Sequence, residues 1–404
     1  MNADPARYAL LYYETQNLGD EIQSVAARQF LPHIDLLIDR DQLNRLPDGA
    51  QGNYRVILNG WHSGRPENWP PSSSLTPLPV SIHLSNMPNR TTGIRAVEAL
   101  LSGESLDYFR NHAPIGARDH ATLERLRAKG IDAYFSGCLT LTLGDGQGRT
   151  RGDYVCAVDL PPRVLEALRA RTRSRVVMTT HRDGTTTPSA ARARRAERLL
   201  SLYAQARSVV TSRLHCALPC LAFGTPVLLV TSSRDVDRFT GLDQLLHHCS
   251  PDDFLSGNVA FDADHPPENS DQHLQLREAL ARQANMFVSS TASTGLSAHP
   301  FAPDTDIENL IGIEQSFARL EEEVLPLRRF HRQLRAGRDY SGYKPEHFLR
   351  ELAKAHRAAG DLEEAKRLLE TALALRPDNP QLLKALEAVM SEMRLRQPQA
   401  PLTP

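Results

Sequence analysis

Residues 208–230 read SVVTSRLHCALPCLAFGTPVLLV. Nearly every side chain here is apolar or small, and only Arg213 and His215 carry or can acquire charge. SVVTS is β-branched and reads as a strand. HCALPCLAFG fits a helix ended by Gly224, with Pro219 tolerable near its start but not deep inside. PVLLVTS is another strand. The spacing therefore predicts strand, turn, helix, strand, with Arg213 and His215 in the turn at the first strand's carboxyl end. There they can face a cleft, beside the free N–H groups of a helix N-terminus, a place that favours an anion. Arginine offers a planar fork for carboxylate or phosphate, and histidine can donate a proton near neutral pH. The alternative is that Arg213 pairs with a buried acid and His215 satisfies a backbone carbonyl.

The same rhythm extends outward from Tyr8 to about Cys249. YALLYY, RVILNG and PVSIHLS read as strands, and EIQSVAARQFL as a helix. PIGAR leads into the helix DHATLERLRAKG, closed by Gly130, and then into AYFSGCLTLTL. LGDGQGRTRGD, around residues 144–152, loses its apolar content and marks a boundary. Beyond it the strands YVCAVDL and RVVMTT alternate with the helices PPRVLEALRAR and ARARRAERLLSLYAQA. Alternation of this kind predicts an α/β fold with two Rossmann-like domains facing a cleft, residues 1–148 and 149–270. Residues 271–337 read as a helical connection, 338–396 as a tetratricopeptide-like unit and 397–404 as a disordered tail. The helical unit holds about one and a half repeats, too few to bury its own faces. Those faces are expected to serve as a structural cap, a homo-oligomer contact or a protein-partner surface.

The chain has 404 residues, 41% hydrophobic and 24% charged, with net charge −1. Such a balance gives no bulk field for nucleic acid or anionic membrane. Five scattered cysteines do not form a disulfide framework. The first residues show no basic segment followed by a long apolar run. No stretch approaches the roughly 18 apolar residues of a membrane span. A reducing, cytoplasmic compartment is expected.

Other residues mark the ends of strands. ETQNLGDEIQ puts Asn17, Gly19 and Asp20 in the first strand-to-helix turn. Asp20 either caps that helix or, with Asn17 and Gln23, binds acceptor hydroxyls. Gly19 suits a tight turn or a ligand's close approach, but the turn is no GxGxxG loop and implies no dinucleotide. ILNGWHS places Asn59, Gly60 and Trp61 after another strand, with Trp61 stacking on a sugar or packing in the core. Asp119 is expected to cap the helix starting at His120, with Arg118 aimed by that turn. Gly137 and Thr140 are loop geometry or substrate contacts. His181 lies in a surface loop or reaches the cleft. Arg238 is solvated or touches substrate. Cys216 and Cys220 read as buried thiols, not metal ligands. The run RARRAER, from Arg192, reads as a wet helix face.

The stretches NLGDEIQSVAARQFLP, ILNGW, PIGARDHATLERLRAKGI, FSGCLTLTL and VVTSRLHCALPCLAFGTPVLLV together resemble the polysaccharide pyruvyl transferase family, over roughly residues 8 to 250. The resemblance implies a fold similar to two-domain GT-B glycosyltransferases. It also implies transfer of the enolpyruvyl carbons of phosphoenolpyruvate to two sugar hydroxyls as a ketal, with loss of phosphate. The acceptor would be a glycan or a lipid-linked sugar. The family's Arg-Leu-His motif carries over to Arg213, Leu214 and His215, and its donor-binding arginine to Arg118. On this reading His215 is the general acid, the arginines hold the donor, and neither cofactor nor metal is needed. The competing readings are a nucleotide-sugar GT-B glycosyltransferase, which lacks a clear nucleotide contact here, and a non-catalytic glycan-binding or scaffold protein.

Overall fold

A computed structural model describes residues 6–88, 93, 95–144, 151–183, 189–232, 236–289, 299–319, 345–358 and 362–396. The chain forms two compact units, Met1–Gln315 and Ser316–Pro404. The first contains two parallel sheets. One has strands β1 (Tyr8–Tyr12), β2 (Leu36–Asp39), β3 (Tyr54–Trp61), β4 (Leu75–His83), β5 (Ile115–Ala117) and β6 (Ala133–Phe135), in the order β2-β1-β3-β4-β5-β6. The other has β7 (Tyr154–Val158), β8 (Arg175–Thr179), β9 (Ser208–Thr211), β10 (Val227–Val230) and β11 (His247–Cys249), in the order β11-β10-β9-β7-β8. In each sheet the first strand lies between the second and the third. The strand order therefore reverses at β1/β3 and at β7/β9, the switch points where open α/β sheets bind ligands.

Helices in the first half are α1 (Leu18–Arg28), α2 (Ala96–Leu100), α3 (Gly103–Asn111) and α4 (His120–Ala128). The second half has α5 (Pro162–Arg171), α6 (Ser189–Gln205), α7 (Leu214–Ala222) and α8 (Pro251–Ser256). After them come α9 (His273–Ser289) and α10, residues 307–319. Strands buried on both faces alternate between cores. Tyr154, Cys156 and Val158 of β7 face a core shared with α1, α6 and α7, while Val155 and Ala157 face a core with α5. On β1, Tyr8 and Leu10 likewise join the shared core, and Ala9 and Leu11 the core of the first sheet's other face. α1 is thus a helix of the first sheet that packs on α6 and α7 of the second, which explains why ten of its residues are buried.

Leu139–Thr142, in LTLTL, form a 3-10 turn, fully buried. A buried turn is tolerable because Thr142 Oγ1 donates to the Leu139 carbonyl (2.7 Å) and Thr140 Oγ1 to the Cys138 sulfur (3.2 Å). Asp20 does not cap α1; Asn17 does, its side chain accepting from the Gly19 N–H. RARRAER is not wet, since Arg192 and Arg195 are each 2% exposed. Arg192 Nε donates to Glu21 (3.2 Å), Arg195 Nε to Glu314 (3.1 Å) and Arg198 Nε to Glu314 (3.1 Å), with Asp183 3.5 Å from Arg195. The acids come from α1, α10 and the loop after β8, so the sequence around Arg192 shows none of them. Two further strands, β2 and β11, were not anticipated. α9 returns to the first sheet: Arg55 Nη1 donates to the Phe287 carbonyl (2.7 Å) and Tyr8 OH to the Val288 carbonyl (2.9 Å).

In the second unit α11 (Pro345–Ala358), α12 (Leu362–Leu375) and α13 (Pro380–Arg396) enclose a small core of Ala353, Leu362, Ala365, Leu368, Leu369, Ala372, Leu382 and Val389. Most of the low-apolar boundary near residue 148, much of the connection after residue 319 and the tail 397–404 lie outside the described residues. No described helix is long and apolar enough to cross a membrane.

Glu314 is fully buried and neutralises two arginines. Removing one partner of a buried ion pair leaves an uncompensated charge, at about 3–5 kcal/mol. Glu314→Gln should therefore lower unfolding free energy by about 3 kcal/mol or more in urea titration, whereas removing the exposed pair of Arg175 with Glu308 should change it by less than about 1 kcal/mol.

Candidate active site

The carboxyl ends of the two sheets are brought together by backbone bonds. The Leu18 N–H at the start of α1 donates to the His181 carbonyl after β8 (2.7 Å), and the Asp183 N–H donates to the Gln16 carbonyl (3.1 Å). At the start of α4 the His120 N–H donates to the Thr240 carbonyl (3.1 Å), and the Ala121 N–H to Thr240 Oγ1 (3.0 Å). Arg125 pairs with Asp237. The first turns of α1 and α4 thus dock on loops that leave the second sheet.

His215 is the second residue of α7 and 8% exposed. Its Nε2 has no hydrogen-bond partner among the described residues. On the opposite side, Nδ1 lies 3.2 Å from where a Cβ on residue 19 would sit, so Gly19 allows α1 to approach the imidazole. Burial pushes the His215 pKa well below its usual value, and Arg118, Arg238, His181 and His83 push it the same way. The ring is therefore neutral in the unliganded site, inside a cluster of cations.

Arg118 follows β5, and its side chain is 4% exposed. Its Nε is 3.5 Å from Asp119, and no hydrogen-bond partner for that nitrogen is found among the described residues. Asp119 caps α4 as expected, accepting from the Thr122 N–H (2.9 Å). Arg238 stacks over the Phe239 ring at 5.0 Å. Arg213 occupies the N-cap of α7 and donates from Nε to Asp159 (2.7 Å). Asp159, just past β7, also accepts from the His181 N–H (3.0 Å) and from Thr180 Oγ1 (2.7 Å). Burial raises its pKa, but Arg213, His181 and these hydrogen bonds outweigh burial and hold it low. Leu214 is 1% exposed and belongs to the shared core, so within Arg-Leu-His it is the anchor.

At the first sheet's switch point Asp20 accepts from Thr15 Oγ1 (2.8 Å) and lies 3.8 Å from Arg40. Gln23 Nε2 reaches Asp20 at 3.5 Å, and Asn59 Nδ2 donates to the Gln23 carbonyl (3.1 Å). The Gln23 Oε1 and Asn59 Oδ1 atoms are buried with no partner among the described residues. Gly60, at φ 134°, carries the register shift between β3 and β4 and packs under Tyr13 OH. Arg40 lies over the Tyr13 ring at 4.8 Å and the Trp61 ring at 5.5 Å. Sequence reasoning missed Arg40 and His62. Arg40 stands in DRDQ after β2, itself missed, and His62 reads as an ordinary residue after a strand.

Other expected site residues are engaged elsewhere. A side chain at Gly137 would meet Leu276 of α9, and Thr140 is fully buried against Cys138, so both sit in a packing seam. His181 is 1% exposed, not in a surface loop, with Nε2 3.0 Å from Tyr203 OH. Cys216 and Cys220 are buried free thiols.

Gly19→Ala should slow turnover at least about tenfold by pressing on His215 and Asn17, while the helix gains up to about 1 kcal/mol of propensity. Steady-state rates alongside thermal unfolding check this, and unchanged rates would mean the ring is free to shift. Buried histidines, His62, His181, His215 and His273 among them, also set the acid response. Burial lowers the pKa values of His62 and His181 to about 3, and lowers that of His215 too. The unfolded chain takes up these protons below about pH 6.5, so stability is complete above that pH and falls as pH drops toward 3. Each histidine contributes up to about 1.4 kcal/mol per pH unit. Unfolding midpoints from pH 7 to 4 should show this decline, and His62→Gln should make it shallower.

Comparison with known proteins agrees with this geometry. The family model described as Polysaccharide pyruvyl transferase matches residues 17–234, from the Asn17 cap of α1 past the Arg-Leu-His turn. A model described as Tetratricopeptide repeat matches residues 346–388, within α11 to α13. No curated protein matches the chain. With more than half its length matched, two parallel sheets meeting at their carboxyl ends and a helical repeat after them, the chain belongs to the polysaccharide pyruvyl transferase family.

Proposed function

We propose that the protein transfers the enolpyruvyl carbons of phosphoenolpyruvate to two hydroxyls of one sugar, closing a cyclic ketal and releasing phosphate. One observation carries this reading: the buried Arg118 guanidinium, whose charge acts on His215, has a nitrogen for which no hydrogen-bond acceptor is found among the described residues. A buried cation left so is costly, and an anionic ligand supplies what is missing. Phosphoenolpyruvate brings a carboxylate and a phosphate. Arg118, Arg213 and Arg238 would hold these groups and stabilise the leaving phosphate.

The same ligand changes His215. Its cationic neighbours depress the imidazolium, and a bound multivalent anion offsets them. Donor binding thus loads the acid. The imidazolium proton goes to C3 of the donor, making the methyl group, while the first sugar oxygen bonds to C2. The C2–O bond to phosphate then breaks and the second sugar oxygen bonds to C2. Of the two hydroxyl protons, one replaces that given to C3 and the other leaves with phosphate. All the cationic groups in this scheme are protein side chains.

Asn17, Asp20, Gln23, Asn59 and Trp61, at the other switch point, would receive the acceptor, a glycan or lipid-linked sugar. We read the two facing sheets as a GT-B-like frame, the compartment as cytoplasmic and the C-terminal helices as a surface for self-association or a protein partner.

His215→Gln should cut phosphate release about 10²–10⁴-fold with phosphoenolpyruvate affinity largely kept. Arg118→Lys, which keeps charge but loses the fork, should weaken both. Calorimetry and phosphate release across a panel of acceptor glycans decide. Turnover with sugar nucleotides and none with phosphoenolpyruvate would favour the glycosyltransferase reading instead.

A further inference from the structure

Ketal formation needs two proton transfers of opposite sense: one to C3 of the donor and one away from the attacking hydroxyl. His215 serves the first. The described residues hold a second histidine between the donor and acceptor sides. His83 ends β4, paired in register with Trp61 of β3. The residue before it, Ile82, pairs with Ala117 of β5, next to Arg118. His83 thus lies between the strand end that carries Trp61 and the one that carries Arg118, and its charge is among those that act on His215.

Its environment fits a base. His83 and Asp119 are 2% and 0% exposed, with Nδ1 2.6 Å from Asp119 Oδ2. Asp119 is fixed from several sides, by the Thr122 N–H at 2.9 Å on Oδ1 and by Arg118 Nε at 3.5 Å on Oδ2. Burial raises the Asp119 pKa, but His83, Arg118 and Thr122 outweigh burial and hold the carboxyl below its usual value. An ionised aspartate on Nδ1 fixes the tautomer with the proton on that nitrogen, leaving Nε2 as the basic atom, and it stabilises the imidazolium that forms. Thr122 Oγ1 accepts from the Leu84 N–H at 3.0 Å and lies 3.5 Å from Nδ1, farther than the Asp119 carboxylate.

We infer that His83, aimed by Asp119, is the general base that takes the proton from the attacking sugar hydroxyl; the inference rests on the pyruvyl-transfer reading above. Over one cycle His83 takes the first hydroxyl's proton through Nε2 and gives it to the departing phosphate. His215 gives one proton to C3 and takes one from the second hydroxyl. Bonds and protons balance with no other reactant.

The bland alternative is a clamp that ties the end of β4 to α4. Two variants separate the roles. His83→Asn keeps a donor for Asp119 but removes the base. Asp119→Asn keeps the cap on Thr122, since asparagine caps as well as aspartate, but removes the charge that orders the ring. His83→Asn should unfold near the wild-type temperature and bind phosphoenolpyruvate within about threefold of wild type, whereas Asp119→Asn, which leaves buried Arg118 without its carboxylate, should unfold earlier. Phosphate release with acceptor should fall about 10²–10⁴-fold in each. In His83→Asn the acidic limb of the kcat/KM profile should disappear. Wild-type turnover that survives in His83→Asn overturns the inference alone, as does a rate loss matched by lost stability and donor affinity in both variants. A wild-type protein that releases no phosphate from phosphoenolpyruvate with any acceptor overturns the pyruvyl-transfer reading, and this inference with it.

Discussion

The structure depends on the burial of α1 between two sheets. A helix of one Rossmann-like half normally hides one face and wets the other. α1 instead, LGDEIQSVAAR, buries ten of its eleven residues, Asp20, Glu21 and Gln23 among them, and packs on α6 and α7 of the other half. Its first N–H groups would be orphans in so dry a setting. Asn17 Oδ1 accepts from Gly19, and the His181 carbonyl accepts from Leu18 at 2.7 Å. The bond from Leu18 joins the two halves. It also sets how close α1 comes to His215, where a Cβ on residue 19 would stand 3.2 Å from the imidazole.

Much of this was legible from the pattern of residues. SVVTS, HCALPCLAFG and PVLLVTS became β9, α7 and β10 because a strand buried on both faces has an apolar run that little else resembles. Asp119 was readable as a cap because capping is local. What depended on distant partners was not readable. Arg192 and Arg195 look like a solvated face until Glu21, Asp183 and Glu314 are brought to them. Leu-Thr alternation in LTLTL imitates a strand, and only complete burial shows that both residue types face inward. β2 and β11, four and three residues long, are too short for periodicity to show. In the site, residue types such as Arg118, Arg213 and His215 were visible, but their pairing was not.

That pairing has a common form in the two sheets. Each provides an aspartate just beyond a strand, Asp119 two residues after β5 and Asp159 directly after β7, with side chains 0% and 7% exposed. Each aspartate faces the Nε of one arginine, but only Arg213 makes a hydrogen bond there, at 2.7 Å; Arg118 stands off at 3.5 Å. Each also holds one histidine, His83 through its ring and His181 through its backbone N–H. Arg213, engaged through Nε, keeps the terminal nitrogens of its fork for another anion. For Arg213, no hydrogen bond from those nitrogens is seen among the described residues. A carboxylate in this position therefore does not remove the arginine from function. It fixes the plane of the guanidinium, so that on the proposed function less reorganisation would be needed as negative charge moves onto phosphate.

The two pairs differ in how firmly they are tied, and this assigns them different work. Asp159 lies at φ 51°, an uncommon conformation for a residue other than glycine, and its carboxylate is saturated by Arg213, the His181 N–H and Thr180. His181 there is spent on Tyr203 and on receiving Leu18, so that corner acts as a rigid anchor for α1 and for the Arg213 fork. Asp119 holds Arg118 more loosely and spends its short bond on the His83 ring. The looser arginine can turn toward an incoming anion, while the tightly held imidazole keeps one tautomer. On the proposed pyruvyl-transfer reading, charge would be positioned mainly by the second sheet, and proton transfer would fall to His215 of α7 and to the Asp119–His83 pair of the first sheet.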